Sequence, residues 1–413
     1  PPGPCAPQRQ RGPRSSIDTV DPMDESIDTV LEMAGYKETG QCEKLIVTGC
    51  MVQRFGRALE DELPEVDHFL GTGEYHRIDE VLNSRGANVP KTHVDVPMYI
   101  HDEFAPRVNS WKSHSAWLKI SEGCNHRCAF CIIPTLRGKM RSRTIESLVT
   151  EATRMAQEGV KELNLVSQDS TAYGRDLADR TDLGGLLRAL AQVEGIDWIR
   201  LHYAYPIGLP ESLLTAMAEE PKVVKYLDIP LQHASGPMLK AMRRGVTRAG
   251  QERILERIRN HIPDIAIRTT FIVGFPGETE EDFAELVDFV EKQQFDRVGV
   301  FTYFQEEGTP AADLANQVPE DIKLERQRIL MEKQAEISAS KLDAMVGNVF
   351  PVLIDGPSAE HEWVVGGRLE TQAPEVDGLV YLDAPPDDLV PGEIRQVRID
   401  RTSDYDLVGT VIA

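Results

Sequence analysis

The sequence has few cysteines and no long apolar segment. Six of its 413 residues are cysteine. No stretch approaches the roughly 18 uncharged apolar residues that a membrane-spanning helix needs. The start of the chain is rich in proline and arginine and lacks the apolar core of a secretory signal. We therefore expect neither a membrane protein nor a secreted domain held by disulfides, and we predict a cytoplasmic location.

The chain also contains fewer basic than acidic residues. The chain carries 45 Lys and Arg against 67 Asp and Glu, a formal net charge of −22 at pH 7. General binding to RNA or DNA needs a basic face, so this balance argues against nucleic acid as the main partner. A basic protein partner fits better.

The chain is long enough for two or three domains. Residues 1–23 are predicted to be irregular because five prolines interrupt their first 13 positions. Residues 24–85 indicate a small, partial α/β domain, in which Lys44–Cys50 forms a short strand that ends in a glycine turn. Residues 86–112 are predicted to be a linker with an entry strand.

Strands and helices alternate through a core predicted over residues 113–343. The predicted strands are 116–120, 160–166, 198–203, 225–231, 265–273 and 296–304. The predicted helices between them include 144–158, 182–193, 247–260 and 279–293, and a long charged helix covers 319–343. Six such units favour a parallel sheet with right-handed crossovers, an α/β partial (β/α)6 TIM-like barrel. Ligands of such folds bind at the C-terminal ends of the strands.

The pattern changes after residue 345 to short strands separated by Gly, Pro and Asp turns. The predicted strands are 349–354, 363–368, 379–383, 394–400 and 406–412. This spacing predicts a C-terminal five-stranded antiparallel β-barrel of OB-like size over 345–413.

Half of the cysteines lie within eight residues, directly after the first core strand. Cys124, Cys128 and Cys131 have the spacing C-x3-C-x2-C. Three thiolates can hold a 4Fe-4S cluster and leave its fourth iron open for a ligand. Gly123 lets the backbone turn tightly into this loop.

Two alternatives compete with a cluster site. Structural zinc needs four ligands, and no fourth cysteine stands at finger-like spacing, although His126 lies inside the loop. The three cysteines could also be core residues brought together by chance. Their crowding at a strand end makes both alternatives the weaker interpretations.

The triplet, with Phe130 before its last cysteine, resembles the radical S-adenosylmethionine superfamily. The resemblance implies that Cys124, Cys128 and Cys131 hold a catalytic 4Fe-4S cluster whose open iron binds S-adenosylmethionine. It also implies cleavage of that molecule to a radical that abstracts hydrogen. The cofactors carry out the radical chemistry, and the protein orients them.

Motifs after later strands fit the same resemblance. Phe271–Glu278 resembles the glycine-containing adenine-side motif, which implies cofactor contacts for Gly274 and Glu278. The alternative is an ordinary turn between strand and helix. Gln168 ends the second strand, where the superfamily contacts the methionine moiety, and Gln232 ends the fourth, near the ribose. The alternative is that such a glutamine forms its hydrogen bonds within the protein and binds no cofactor.

From about Asp24 onwards, the chain resembles the methylthiotransferases. These combine a small N-terminal domain, a radical S-adenosylmethionine barrel and a C-terminal TRAM barrel. Its sequence is similar to the branch of this family that modifies an aspartate β-carbon in ribosomal protein S-twelve. It differs from the branch that modifies tRNA. The segments that carry this likeness are 133–143, 167–174, 226–233, 299–310 and 373–380. The resemblance implies the small ribosomal subunit as partner, with electron and sulfur donors left unidentified.

Charge gives an independent argument for that branch. Residues 345–413 hold 13 acids and four bases. A barrel that binds tRNA phosphates should be basic, whereas an acidic one attracts a basic ribosomal protein. The alternative is that the acids merely keep a small barrel soluble.

The family's second cluster, in the N-terminal domain, uses three further cysteines. Cys50 fits the third position, so it is a candidate ligand, although a buried strand-end cysteine is the alternative. The second position falls on Ser16, and neither Cys5 nor Cys42 is a convincing substitute. The resemblance therefore predicts a truncated chain that cleaves S-adenosylmethionine without delivering sulfur.

The leading interpretation is a radical methylthiotransferase acting on ribosomal protein S-twelve. The alternatives are a tRNA-adenosine methylthiotransferase and a non-catalytic protein that binds the ribosome. No role can be assigned from the sequence to Tyr203, Tyr205, Arg243 or Tyr303, which are expected to fill the barrel or lie at its surface.

Overall fold

The computed structural model describes residues 22–40, 42–83, 89–110, 112–358, 364–386 and 388–412. These residues divide into two compact units, one up to Tyr99 and one from Ile100 onwards. Within the described ranges, no helix has the length and apolar character needed to cross a membrane. The predicted irregular leader lies almost wholly outside these ranges.

The first unit is a small α/β structure around three short parallel strands. Its elements are α1 (Pro22–Thr39), β1 (Ile46–Thr48), α2 (Cys50–Phe55), α3 (Ala58–Glu62), β2 (His68–Leu70), α4 (Ile78–Asn83) and β3 (Thr92–His93). The strand order is β1-β2-β3, and β3 lies inside the range that the sequence suggested as linker. Apolar side chains from α2, α3 and β2 form its core, including Val52 and Phe69.

The second unit begins with the predicted strand-and-helix repeat. Its strands are β4 (Ser115–Lys119), β5 (Ser121–Glu122), β6 (Arg141–Ser142), β7 (Glu162–Val166), β8 (Trp198–Leu201), β9 (Val223–Asp228), β10 (Ala266–Val273) and β11 (Arg297–Thr302). β5 and β6 form an antiparallel pair. The other six form one sheet in chain order, with every neighbouring pair parallel. The six-stranded partial barrel predicted from the sequence is confirmed.

Helices cover the outer face of this sheet. They are α5 (Ile133–Arg137), α6 (Ile145–Gln157), α7 (Leu183–Ala191), α8 (Glu211–Glu219), α9 (Gly236–Ala241), α10 (Arg248–His261), α11 (Glu280–Gln293) and α12 (Glu320–Asp343). Apolar residues of α6, α7, α8, α10, α11 and α12 pack on buried strand residues such as Leu118, Leu163 and Ile199 in one continuous core. Helix α11 begins with a reciprocal capping box of Thr279 and Asp282, which satisfies backbone N–H groups at the start of the helix.

The C-terminal strands close into a barrel. They are β12 (Val349–Pro357), β13 (Val365–Leu369), β14 (Val380–Leu382), β15 (Ile394–Thr402) and β16 (Leu407–Val411), in the ring order β12-β13-β14-β16-β15. Four pairings are antiparallel and the pair β14–β16 is parallel. A closed ring with an odd number of strands cannot alternate direction all the way round, so one parallel pair is required.

Buried charges join this small barrel to the N-terminal ends of the parallel strands. Arg368 of β13 donates to Glu162 of β7 at 2.7 and 2.9 Å and to Asp355 of β12 at 2.7 and 3.0 Å. Arg200 of β8 donates to the same Glu162 carboxylate at 3.1 Å. These four side chains are at most 3% exposed. Each charge has an opposite partner, which is the condition under which buried ions are tolerated.

Candidate metal and cofactor site

The cysteine loop begins where β4 and β5 end, at the C-terminal edge of the parallel sheet. Gly123 has φ +86°, and a Cβ at this position would clash with the carbonyl oxygens of Gly138 and Lys139. Cys124 N donates back to the Gly138 oxygen at 3.2 Å. The pairing of β5 with β6 therefore folds the loop back tightly, and only glycine fits at its start.

The three thiols lie close to the protein interior. Cys128 is buried, and Cys124 and Cys131 are half-buried. Burial raises the pKa of Cys124 to about 11, and the nearby Asp169 carboxylate and the other two thiols act in the same direction. Burial also raises the pKa of Cys131. Since metal ligation needs thiolates, binding of a metal at this loop must release the thiol protons.

Residues from several distant segments contact the loop. Gln168, after β7, accepts a hydrogen bond from Gly123 N at 2.7 Å. Ala129 N donates to Met242 O at 3.0 Å, and Ala311 N donates to Ala129 O at 2.9 Å. The loop is thus held from several sides by residues that are far apart in the chain.

Three side chains stack beside the loop. The rings of His126 and Tyr205 are 3.6 Å apart between centroids and 14° from parallel. The Arg244 guanidinium lies 4.3 Å from the centre of the Tyr205 ring. His126 Nε2 is 2.8 Å from Asp169 Oδ2, and Arg244 Nη1 donates to Cys128 Sγ at 3.4 Å. The stack therefore connects Asp169 on one side to a cysteine sulfur on the other.

Tyr205 and Arg244 are the main residues that the sequence analysis missed. Tyr205, expected to fill the barrel or lie at its surface, is half-buried and belongs to this stack. No local pattern marks Arg244, which follows the short helix α9. Of the other unassigned residues, Tyr203 and Arg243 are exposed, and Tyr303 is buried against Phe275.

Gln232 has an unusual backbone for its residue type. Its φ is +73°, and it lies opposite Phe271 of β10, where Gln232 N donates to Thr270 O and Ile272 N donates to Gln232 O, both at 2.8 Å. Its side-chain Oε1 is buried and accepts no hydrogen bond from the described residues. Such an unsatisfied buried acceptor at a strand end is what a ligand donor would complete.

The turn after β10 is organised by Glu278. Its carboxylate is fully buried and accepts from the backbone N–H groups of Gly274 and Phe275, the latter at 3.1 Å. His233 Nδ1 accepts from Ala234 N and Ser235 N, so His233 Nε2 carries the proton and faces Glu278 Oε1 at 3.4 Å. Glu278 is thus occupied with internal partners, which favours a positioning role over the direct cofactor contact predicted for it.

Gly274 and Phe130 also have structural surroundings that the sequence did not show. A Cβ on Gly274, whose φ is +72°, would clash with the Lys323 side chain. The missing side chain therefore makes room for Lys323. Phe130 packs in an apolar cluster with Met238, Met242 and Phe275. Cofactor contacts of both residues stay predictions.

Cys50 is half-buried and is the first residue of α2, directly after Gly49. The observed strand β1 ends at Thr48, so Cys50 lies two positions beyond it. None of the five cysteines in the described ranges forms a disulfide. Cys5 and Ser16 lie outside those ranges, so a second cluster stays an untested prediction.

The three thiols of the cysteine loop are the candidate ligands of this site. In the part of the chain that the structure describes, no three His, Cys, Asp or Glu side chains converge as ligands of one metal ion would. Three cysteines at the spacing C-x3-C-x2-C match the three thiolate ligands of a 4Fe-4S cluster with an open iron.

Comparison with known proteins decides the family. Residues 118–290 match the Radical SAM superfamily, and residues 346–412 match the TRAM domain. The ribosomal protein uS12 methylthiotransferase RimO of Anaeromyxobacter sp. (strain Fw109-5) is 51% identical over 94% of this chain and 82% of its own length. The chain belongs to the RimO family of radical S-adenosylmethionine methylthiotransferases.

Further relatives agree. The protein of the same name from Pelobacter propionicus is 49% identical over 94% of this chain and 86% of its own length. Among solved structures, the radical S-adenosylmethionine methyltransferase TsrM from Kitasatospora setae has a TM-score of 0.55 with 14% identity, over 74% of this chain and 73% of that one. The structural likeness supports the fold, and the sequence relatives favour this family over its tRNA-modifying alternative.

Proposed function

We propose that this protein is a methylthiotransferase that replaces a hydrogen on the β-carbon of an aspartate in ribosomal protein uS12 with a methylthio group. The observation that carries the proposal is the cysteine loop at the mouth of the parallel sheet, in a chain about half identical to relatives named for this reaction. Cys124, Cys128 and Cys131 would hold the 4Fe-4S cluster.

The chain's own residues hold and shape the site. Bound there, a 4Fe-4S cluster and S-adenosylmethionine supply the one-electron cleavage that starts hydrogen abstraction. Gly123 and Gln168 fix the entry of the cysteine loop through the 2.7 Å hydrogen bond. Gln232 offers its buried, unsatisfied Oε1 as an acceptor for a polar group of the cofactor. Glu278 holds the turn at Gly274 and Phe275.

The C-terminal barrel supports a protein substrate over an RNA substrate. Arg368 is buried in the ion network with Glu162 and Asp355. The other three arginines of this barrel each lie within 4 Å of a carboxylate. Those pairs are Arg395–Asp388, Arg398–Asp400 and Arg401–Asp383. Because every cation here is paired, the barrel offers no free cation to a phosphate backbone, and its excess acid suits a basic ribosomal protein.

The direct test uses anaerobically reconstituted protein, dithionite, S-adenosylmethionine and sulfide, with purified uS12 as substrate. The expected result is 5′-deoxyadenosine together with a methylthio group on one aspartate, located by peptide mass spectrometry. A uS12 variant with that aspartate changed to alanine is the matched control. Modification of a tRNA anticodon loop in place of uS12 would overturn the substrate assignment.

The same assay separates the non-catalytic alternative. A protein that only binds the ribosome makes no 5′-deoxyadenosine above the level of a Cys128→Ala variant. Formation of 5′-deoxyadenosine without modified uS12 would show a working radical site without sulfur transfer, the outcome predicted for a chain that lacks the second cluster. We also expect a cytoplasmic location, and we expect separate sulfur and electron donors that the sequence does not identify.

A further inference from the structure

The concave face of the six-stranded sheet carries polar side chains on β10. Ile267, Phe271 and Val273 of this strand pack in the core that the sheet shares with the helices. Because side chains alternate along a strand, Arg268 and Thr270 point the other way, into the interior of the partial barrel. Both residues are half-buried. They form part of the wall of the barrel interior.

Gly299 of β11 leaves a small gap beside these two side chains, called here the Gly299 gap. Gly299 is the register partner of Thr270. Around the position that a Cβ would take there, Arg268 Nη2 lies at 3.6 Å, and Phe301 Cε2 and Thr270 Oγ1 both lie at 3.7 Å. Two hydrogen-bond donors and one aromatic edge therefore surround the Gly299 gap.

The two donors of the Gly299 gap are available to a ligand. Arg268 Nη1 donates to Asp228 Oδ1 at 3.1 Å, and Arg268 Nε lies 3.7 Å from Asp377 Oδ1. Within the described ranges, neither Arg268 Nη2 nor Thr270 Oγ1 has a hydrogen-bond partner. The buried carboxylates of Asp228 and Asp377 thus hold the guanidinium by its other nitrogens. They leave Nη2 turned to the gap.

The Gly299 gap lies close to the cysteine loop. Ile272, two residues after Thr270 on the same face of β10, packs against the apolar cluster that contains Ala129 of that loop. Two residues of a strand span about 6.6 Å. A substrate side chain that fills the gap therefore lies next to the proposed cofactor site.

The donors and the size of the Gly299 gap suit a short side chain that ends in a carboxylate. A guanidinium edge and a hydroxyl group both donate to carboxylate oxygens, and such charge-assisted hydrogen bonds are strong. We propose that Arg268 and Thr270 bind the side-chain carboxylate of the substrate aspartate. The β-carbon is bonded directly to that carboxylate, so this contact also fixes the reacting atom. The inference rests on the proposed function, which names this β-carbon as the site of reaction.

The fixed partners of Arg268 leave room for a third carboxylate. Backbone N–H groups share the charge of both: Asp377 Oδ2 accepts from Ala373 N at 2.9 Å, and Asp228 Oδ2 accepts from Tyr203 N at 3.3 Å. Burial raises the pKa of Asp228 in spite of the nearby Arg268. Asp228 therefore gains a proton more easily than an exposed aspartate, which can offset the charge of an arriving carboxylate.

The competing explanation is that Arg268 only ties the partial barrel to the C-terminal barrel through Asp377. The test measures dissociation constants of the anaerobically reconstituted protein for two substrates. One is purified uS12, and the other is uS12 with the target aspartate changed to asparagine, which keeps the size and removes the charge. Wild-type protein should bind the aspartate form at least about tenfold more tightly.

Three variants separate the explanations. Arg268→Met should reduce the preference for aspartate to less than about twofold, because the charged donor is gone. Gly299→Ala should also reduce the preference, because its methyl group fills the gap. The methyl group meets no atom closer than 3.6 Å, and Gly299 lacks a positive φ, so thermal stability should not fall. Asp377→Asn is the control, which breaks the tie to the C-terminal barrel and should keep the preference.

Three results would overturn the inference alone. The first is an Arg268→Met protein that binds both forms of uS12 more weakly and keeps the wild-type preference, since Arg268 would then act only on the fold. The second is a wild-type protein that binds both forms equally, and the third is loss of the preference in Asp377→Asn. If Arg268→Met does not fold, Gly299→Ala decides, and an unchanged preference in that variant overturns the inference.

A different result would overturn the proposed function. Wild-type protein that neither binds nor modifies uS12 has another substrate, and the inference falls with that assignment. Binding and modification of uS12 without a preference for aspartate over asparagine would leave the proposed function in place. The two failures are therefore distinguishable in the same experiment.

Discussion

The two ends of the parallel sheet treat buried charge in opposite ways. At the N-terminal ends of the strands, Glu162 lies between Arg200 and Arg368 with every partner in hydrogen-bond range. At the C-terminal ends, Arg244 is buried beside a cysteine sulfur without an acid, and Gln232 keeps an unsatisfied buried oxygen. The buried charges at the first end find their partners within the folded chain. The buried polar groups at the second end are expected to find partners in a bound ligand.

The difference teaches where stability and function reside in this chain. Paired buried ions rigidify a structure, and removing one partner leaves the other uncompensated. Unsatisfied buried groups lower stability and persist where function requires them. Ligand sites of parallel α/β barrels lie at the C-terminal edge, in agreement with the location of the incomplete groups.

The largest expected effect is loss of function without loss of the fold. Cys128→Ala removes one of three proposed ligands, so iron binding and 5′-deoxyadenosine formation should fall to background. Stability should change by only about 1 kcal/mol, since a small side chain replaces another. Iron analysis, the cleavage assay and urea unfolding check this. Cys42→Ala, which removes a half-buried thiol of the first unit, is the control and should leave cleavage intact.

The next effect concerns the opposite end of the sheet. Arg368→Met leaves Glu162 and Asp355 buried with too little positive charge and should lower the free energy of unfolding by about 3–5 kcal/mol. Arg398→Met removes an exposed ion pair with Asp400 and should cost less than about 1 kcal/mol. Equal destabilisation by the two variants, measured by urea unfolding, would contradict the contrast between buried and exposed pairs.

Acid should weaken the same network. Burial by itself would raise the pKa of Glu162, but Arg368 and Arg200 outweigh it and lower the pKa to about 2. A carboxylate whose pKa is lowered by folding stabilises the protein above its unfolded pKa, here 4.5, and the stabilisation is lost as pH falls towards the folded value. Stability should therefore decline between about pH 4.5 and pH 2.

The acid prediction is checked by urea unfolding at several pH values. Glu162→Gln should flatten the decline in this window, because the group that takes up the proton is gone. Glu375→Gln, which changes an exposed acid of the C-terminal barrel, should leave the decline as it is. A wild-type decline that both variants share would show that other carboxylates dominate acid unfolding.

The smallest effect is expected in the stack beside the cysteine loop. Tyr205→Phe removes the 2.9 Å hydrogen bond to the Arg244 carbonyl oxygen and keeps the ring. The expected cost is about 0.5–1.5 kcal/mol in the free energy of unfolding, with unchanged iron content. Loss of iron in this variant would show that the hydroxyl group, and not the ring, holds the stack in place.

Much of the fold followed from periodicity and turn residues. The six parallel strands lie within a few residues of the predicted ranges, because buried strands and amphipathic helices alternate strongly here. Short elements such as α9 were not predicted, since six residues give too little periodicity. The barrel was predicted to be antiparallel, and the parallel pair β14–β16 was missed because no local pattern reports which strands become neighbours when the ring closes.

The candidate site was predictable only in part. The spacing of Cys124, Cys128 and Cys131 is local and showed in the sequence. The contact of Arg244 with Cys128 joins residues 116 positions apart, and Glu278 acts through backbone groups and His233. No single-sequence pattern reports such contacts, because they arise when loops from different strands converge at one edge of the sheet.

The sequence by itself determined the order of strands and helices, the cysteine loop and the acid excess of the C-terminal barrel, because each depends on neighbouring residues or on composition. The tertiary structure alone decided which buried charges find partners. Arg368 and Arg244 are both arginines in a mostly apolar context, yet one meets two carboxylates and the other meets a cysteine sulfur. Partner choice depends on the packing of distant segments, and no local sequence pattern reports it.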